Sequence, residues 1–411
     1  MKNFSQKRLL RLENLLDSFV NNGLVGCSIL VSKENIEQLY YHTGSKDIEN
    51  NRDVERDDIY RIYSMTKSIV CFGMMILLEK GKVYLDDDIS KFIPELENLE
   101  VYKSGIINNT PLEKLNTKIT IRHLMTHQAG FTYGSDLTPV HQMVQNNLQM
   151  DPKSPGLWRN SINSAMDSDE VIQQLSNIPL YYQPGKNWHY SIAIDILGIV
   201  IERISGKNLE QFLKENIFNP LNMYDTEFSI KEDKINRFAS LYSKLESGHK
   251  LLDSSVTSGF KEKPKFYSGG GGLVSTIDDY MKYLKLLIDK GNHNGEPIIG
   301  SNTVELFMSI QTGSLSLSTL QKDQTLALES NLNGIGHALG GAFVMNPQES
   351  NFYFSPRGEF FWSGYAFTHF WIDPHEKISV VFMTQMADLF NTEFGNSIVK
   401  DLRTIIYTSL M

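Results

Sequence analysis

Residues 61–70, "RIYSMTKSIV", set a hydroxyl (Ser64) and an amine (Lys67) three positions apart in a run that is otherwise largely apolar. The run continues through "CFGMMILLEKG", and no charge follows Lys67 until Glu79. A helix that is apolar all round is buried on every side, and Gly81 is placed to end it. Positions i and i+3 share a helix face, so the two polar groups meet inside the core. An amine sealed there loses its proton near neutral pH more easily than it keeps an unpaired charge. A serine at the positive end of the helix dipole, beside such an amine, can be activated as a nucleophile.

Spacing alone does not single out this pair. Ser-x-x-Lys occurs four times: Ser64–Lys67, Ser247–Lys250, Ser258–Lys261 and Ser397–Lys400. The second and third fall in polar, Gly-containing loops, and the fourth on a terminal helix with an exposed Lys. Only the first opens an apolar helix. The competing reading is a Lys that reaches the surface along its own stem.

Two further stretches carry polar groups into apolar surroundings. In "WHYSIAIDILG", Tyr190 stands at the head of a second apolar helix, residues 191–206. A phenol held near an ammonium there can act as a base; otherwise it is a core Tyr with a satisfied hydroxyl. In "EFFWSGYAFTHFWIDP", Trp362 and Gly364 interrupt a strand-rich run. A strand Gly marks a close approach or a bulge, and an N–H there could complete an oxyanion hole with that of Ser64.

Other chemistries find less support. The 411 residues are 41% hydrophobic and 21% charged, and the net charge is −9. That composition suits a large core and argues against nucleic acid or an anionic membrane as partner. Cys27 and Cys71 both lie in apolar stretches and read as buried thiols, with no disulfide framework. His123 and His127 have an i, i+4 spacing, but Leu124 stands where a metalloprotease needs Glu, so no metal site is expected. No Gly-x-Ser-x-Gly elbow and no phosphate-binding Gly-x-x-x-x-Gly-Lys loop occurs, and "SGGGG" at 268–272 reads as a structural turn. Arg11, Glu13 and Asp17 break up the first amphipathic helix as an export signal. No apolar run approaches the roughly 18 residues of a membrane span, so a cytoplasmic protein is expected.

Along the chain, residues 26–32 and 37–42 read as a hairpin. Residues 120–130 read as a helix with Thr120 as N-cap and Gly130 at its end. Ser275 and Thr276 offer capping boxes. Strand-like runs follow at 341–346, 352–354, 360–363, 366–372 and 378–384, before a helix at 391–408. The assembly expected is an α+β sandwich: an antiparallel sheet flanked by helices from residues 1–84 and 266–411, plus a mainly helical domain from 85–265, with the site between them.

Together, in order, "YSMTKSIV", "YSIAIDILGIVIERISG" and "FWSGYAFTHFWIDPHEKISVVFMTQ" resemble the motifs of the serine β-lactamase and penicillin-binding-protein superfamily. The resemblance is to its class C-like branch, closest to its carboxylesterases, and covers residues 8–408. "LMTHQAGFTYG" and "SGGGGLVST" also match that branch. The resemblance implies Ser64 as acylated nucleophile, Lys67 as its assistant and Tyr190 as the proton-exchanging base. It implies the backbone N–H groups of Ser64 and Tyr365 as oxyanion hole, and no cofactor. Two departures bear on substrate. Ile192 stands where many β-lactamases have Asn, and Trp362-Ser363-Gly364 where they have Lys-Thr-Gly. Without that cation, a pocket of Ile192, Trp362, Ser363 and Gly364 suits a neutral acyl or alkyl group.

The expectation is a serine esterase acting on small or medium acyl esters. A β-lactamase or D-amino-acid peptidase, an acyltransferase and a non-catalytic binding or assembly protein stand as alternatives. Residues 131–165 and 310–335 are expected to be loops that set specificity. Oligomeric state is left open.

Overall fold

The structure is a computed structural model that describes residues 2–103, 111–134, 138–148, 166–320, 332–350, 352–390 and 392–411. Its centre is an eight-stranded antiparallel sheet. The strands are β1 (Gly26–Lys33), β2 (Ile36–Asp47), β3 (Arg52–Asp53), β4 (Ile335–Ala338), β5 (Gly341–Val344), β6 (Phe360–Gly364), β7 (Thr368–Asp373) and β8 (Ile378–Thr384). Their order is β4-β5-β6-β7-β8-β1-β2-β3, so the two ends of the chain meet in the middle, where β1 pairs with β8. The β1–β2 hairpin turns through Glu34 and Asn35, both with positive φ (51° and 62°). Such a turn twists with its strands.

Helices cover both faces. On β7, Phe370 meets Tyr280 of the helix Ile277–Ile288, while the next residue, Trp371, lies under Arg403 of the terminal helix Glu393–Thr408. Adjacent strand residues point to opposite faces, so these helices sandwich the sheet. The expected fold class therefore stands: mixed helices with an antiparallel sheet.

Two further helices position the site, α1 (Thr66–Glu79) and α2 (Ala193–Ser205), and they pack against each other. Every residue of α1 from Thr66 to Leu77 is buried or nearly so, as its composition requires. Gly81 (φ +65°) closes it, as read from the sequence.

Several local expectations need correction. Ser64 is not in the helix itself but on a 3-10 turn, Tyr63–Met65, just before it. The helix capped by Thr120 ends at Met125, because His127 turns the backbone to φ +55°. Gly130 instead makes a close approach: a Cβ there would lie 2.3 Å from the Tyr182 carbonyl. Residues 352–354 form no strand; Tyr353 and Phe354 are 59% and 51% exposed in a turn. The edge strand β4 has no counterpart among the expected runs. Within 131–165 and 310–335, Pro139–Asn147 is a helix capped by Thr138 and Leu317–Leu320 a helical turn, whereas 135–137, 149–165 and 321–331 lie outside the described residues. The mainly helical interval 85–265 also holds the strand pair Leu241–Lys244 and His249–Asp253, which adds to Met386–Ala387 just after β8. Cys27 and Cys71 are buried free thiols, and among the described residues no helix is long and apolar enough to cross a membrane.

The terminal helix is pinned by a buried polar cluster. Arg403 Nε donates to Glu359 Oε1 (2.8 Å) and the Tyr407 hydroxyl to Glu359 Oε2 (2.6 Å), with the guanidinium stacked over Phe352 and Trp371. Glu359 has no exposed surface. Removing one partner of a buried pair strands the other charge. Arg403→Ala should therefore lower the free energy of unfolding by about 3–5 kcal/mol, measured by urea denaturation; a loss below about 1 kcal/mol would contradict the assignment.

Candidate active site

Three segments far apart in sequence converge on Ser64. The 3-10 turn presents its hydroxyl, α1 brings Lys67 Nζ to 3.1 Å from Ser64 Oγ, and the segment leading into α2 brings the Tyr190 hydroxyl, which donates to Ser64 Oγ at 2.7 Å. Ser64, Lys67 and Tyr190 are 3%, 1% and 4% exposed. In the other three Ser-x-x-Lys copies, Lys250, Lys261 and Lys400 are all exposed. Burial thus separates the pair that spacing could not.

Burial also sets the proton affinities. It lowers the Lys67 amine to about 7, against an opposing pull from the negative charge of Asp195. It pushes the Tyr190 phenol well above its ordinary value, although the hydrogen bond to Ser64 pulls the other way. At neutral pH the phenol holds its proton, and the amine is the group poised to be empty.

The "SGGGG" turn does more than reverse the chain. Lys67 Nζ donates to the Gly270 carbonyl. That loop is held by Asp195 of α2, whose Oδ1 accepts from the Ser268 hydroxyl (2.5 Å) and the Gly270 N–H (3.0 Å). A Cβ on Gly270 would lie 2.2 Å from Asp195 Oδ2, so only glycine fits. Asp195 is 2% exposed, and burial raises its pKa. The signal for it in the sequence is a lone acid in an apolar helix. Tyr133, from "GFTYG", was also missed as a site residue; its ring lies 5.3 Å from that of Tyr190, and Lys67 Nζ lies 5.7 Å from its centre.

The third stretch reaches the same place. A Cβ on Gly364 would stand 2.2 Å from the Ile62 carbonyl, so the end of β6 lies directly on the backbone entering the Ser64 turn. Tyr63, with φ +39°, sets its ring edge-on to Tyr365 at 5.7 Å. The two backbone segments that carry the Ser64 and Tyr365 N–H groups are thus locked side by side. Trp362 packs on Tyr190 (5.7 Å between rings). Ser363 is buried opposite His369 in the β6–β7 ladder. Ile192 is buried at the first turn of α2, and its carbonyl accepts from Asp195 N and Ile196 N.

Among the described residues, Glu55, Asp57 and Asp58 bring carboxylate oxygens within 4.8 Å of one another, but Lys46 Nζ already bonds Glu55 and Asp58. His123 caps its own helix through Nδ1, and His127 lies beyond that helix end. The i, i+4 pair does not share a helix face.

His127 instead belongs to a buried group of imidazoles behind Tyr190. Its ring lies 4.7 Å from Tyr190 and 5.6 Å from His337, and His337 lies 5.4 Å from Trp362. His189 and His141 continue the group, 5.5 Å apart. Burial lowers His337 and His141 to about 4 and His189 to about 3. The unfolded chain binds these protons near about 6.5. Folding therefore excludes protons, and stability present at neutral pH is lost as pH falls from about 6.5 toward 4. Each such histidine should cost about 2 kcal/mol between pH 7 and pH 5. Urea unfolding at both values should show that loss, and His337→Phe should reduce it.

The Beta-lactamase family profile matches residues 12–396. Protein Rv1367c of Mycobacterium tuberculosis is 28% identical over 371 residues, 88% of this chain and 87% of its own. Esterase EstB of Burkholderia gladioli is 28% identical over 295 residues, 67% of this chain and 69% of its own. The solved structure of EstCE1, a hydrolase with promiscuous acyltransferase activity, superposes with a TM-score of 0.77 at 22% identity, covering 98% of this chain and 99% of the other. With the family profile matched over most of its length, the chain belongs to the beta-lactamase family and is an enzyme of the serine-hydrolase type.

Proposed function

We propose that the protein is a serine esterase that acts through an acyl-enzyme on small or medium esters with neutral acyl groups. The observation that carries this reading is the convergence of Lys67 Nζ and the Tyr190 hydroxyl on Ser64 Oγ, at 3.1 and 2.7 Å, in a core where the amine sits at about 7.

In the proposed cycle the neutral Lys67 amine takes the Ser64 proton as Oγ bonds the ester carbonyl carbon. The carbonyl oxygen becomes an oxyanion, held by the backbone N–H groups of Ser64 and Tyr365. As the bond to the leaving oxygen breaks, Tyr190 gives that oxygen its proton and the alcohol departs. Water then attacks the acyl carbon and hands a proton to the phenolate. The Lys67 ammonium returns a proton to Ser64 Oγ, and both groups regain their starting states. An alcohol in place of water gives acyl transfer by the same steps. The promiscuous acyltransferase activity of EstCE1 favours that second reading. The β-lactamase or peptidase reading draws less support, because Trp362 occupies the place of a cation that would hold a substrate carboxylate.

A chromogenic short-chain ester tests the proposal. Ser64→Ala should abolish turnover and the acyl adduct seen by intact-mass spectrometry, and Lys67→Ala and Tyr190→Phe should each lose about 10²-fold or more. Nitrocefin turnover rivalling that of the ester would promote the β-lactamase reading. Competing alcohols would divert the product if the protein is a transferase.

Because the amine must be empty to accept the serine proton, kcat/KM should fall about tenfold per pH unit below about 7. A pH-independent rate from 5 to 8 would remove Lys67 as the base.

A further inference from the structure

We propose that the indole N–H of Trp362 is the hydrogen-bond donor that receives the Tyr190 phenolate formed when the phenol protonates the leaving oxygen. The inference rests on the esterase reading above and assigns Trp362 a task beyond lining a pocket.

Trp362 is 6% exposed, and its Nε1 has no acceptor in good hydrogen-bond geometry. An indole N–H can only donate, and the Tyr190 hydroxyl is set beside it as an acceptor. Its ring lies 5.7 Å from that of Tyr190, inclined at 47°. It stands close enough to the phenol oxygen to favour the ionised form. At rest, the phenol proton points to Ser64 Oγ. Once Ser64 is acylated, its oxygen carries no proton to give back to Tyr190. The phenolate must find donors elsewhere; the Lys67 ammonium formed during acylation is one, and the Trp362 indole N–H is a further one.

Among the described residues, groups face Tyr190 from several elements of the fold besides Trp362: α1, the loop after residue 130, α2, the segments at His127 and Trp188, and β4 behind Trp362. Lys67 Nζ of α1 lies 4.8 Å from the ring centre. Tyr133 supplies a second hydroxyl from the loop after residue 130. Asp195, on the helix that Tyr190 precedes, adds negative charge and opposes ionisation. His127 stacks on one side with its proton affinity depressed, and His337 packs behind Trp362 in the same condition. Trp188 lies 6.5 Å away, stacked. To these, Trp362 adds an indole N–H set beside the phenol oxygen, in a contact that is not a well-formed hydrogen bond at rest and strengthens when charge appears there. An interaction stronger in the transition state than at rest lowers the barrier. Trp362 acts through Tyr190, as a positioning residue for the proton that Tyr190 delivers.

A leaving-group series separates this role from pocket shape. The probes are aryl esters of one acyl group whose phenols differ in acidity, plus one alkyl ester. In Trp362→Phe the 4-nitrophenyl ester, whose leaving group needs no proton, should lose least in kcat/KM, and that loss sets the baseline due to pocket shape. Weakly acidic phenols and the alkyl alcohol should lose about tenfold or more, so that the dependence on leaving-group acidity steepens. In a Tyr190→Phe background the same change should add no further steepening. Ser64 labelling by a fluorophosphonate, where fluoride leaves without a proton, should still go to completion and reports that the variant is folded. An unchanged slope with a uniformly raised KM would overturn the proposal, as would equal steepening in the Tyr190→Phe background. Should Trp362→Phe fail to fold, Trp362→His keeps a ring N–H; a wild-type slope supports the donor role and a steep one overturns it. If wild-type Ser64 itself is not labelled, it is the esterase reading that fails.

Discussion

Everything at this site follows from the burial of one amine. Lys67 is 1% exposed in the first turn of a helix with no polar face. An ammonium taken out of water costs several kcal/mol unless it is paired or loses its proton. The protein does some of each. The Gly270 carbonyl accepts from the amine, the Asp195 charge acts on it, and burial still brings it to about 7. A side chain that elsewhere serves solubility is thereby brought to about 7 beside a serine one turn away, as the proposed cycle requires of its base.

That constraint explains why glycines gather here. Lys67 has room for a carbonyl partner only because Gly270 lets its loop lie against Asp195, where any Cβ would collide with the carboxylate. Ser64 has β6 beside it only because Gly364 lets that strand touch the Ile62 carbonyl. In both places the missing side chain is what allows two backbones, or a backbone and an acid, to approach. The sheet supplies the rigidity: β6 is held on both sides, by β5 and β7, and its last residue lies against the turn that presents Ser64.

The long, strongly patterned elements were legible from local sequence. The β1–β2 hairpin, the all-apolar α1, the helix at Tyr190 and the β7 and β8 strands lie where alternation and apolar runs placed them. Short or mixed segments were not. The strand β4 spells "IGHA", four residues with a glycine and a histidine, and offers no period to detect. "FYF" at 352–354 has strand composition, but Tyr353 and Phe354 face outward. At the site, Ser64, Lys67 and Tyr190 could be named from local pattern, because each breaks an apolar context. Asp195 breaks one too, but its meaning lies 75 residues away, at Gly270. His337 and Trp188 gain significance only by packing beside Tyr190 and Trp362. Such tertiary partners leave no mark in local periodicity.

The chemistry of the surrounding wall bears on what the serine accepts. Among the described residues, the rings packed around Tyr190 are Trp188, Trp362, Tyr133 and His127, with His337 behind them. Burial keeps both imidazoles neutral at working pH. A substrate carboxylate pressed against this wall would leave water without a cation to meet it, a cost that rises steeply in a low-dielectric site. A neutral acyl chain meets ring faces and incurs no such penalty. The same burial holds the proton on the Tyr190 phenol, which in the proposed cycle gives it up only to the leaving oxygen. On the proposed esterase reading, substrate preference and the timing of the proton share one physical origin, an aromatic enclosure around a single buried amine.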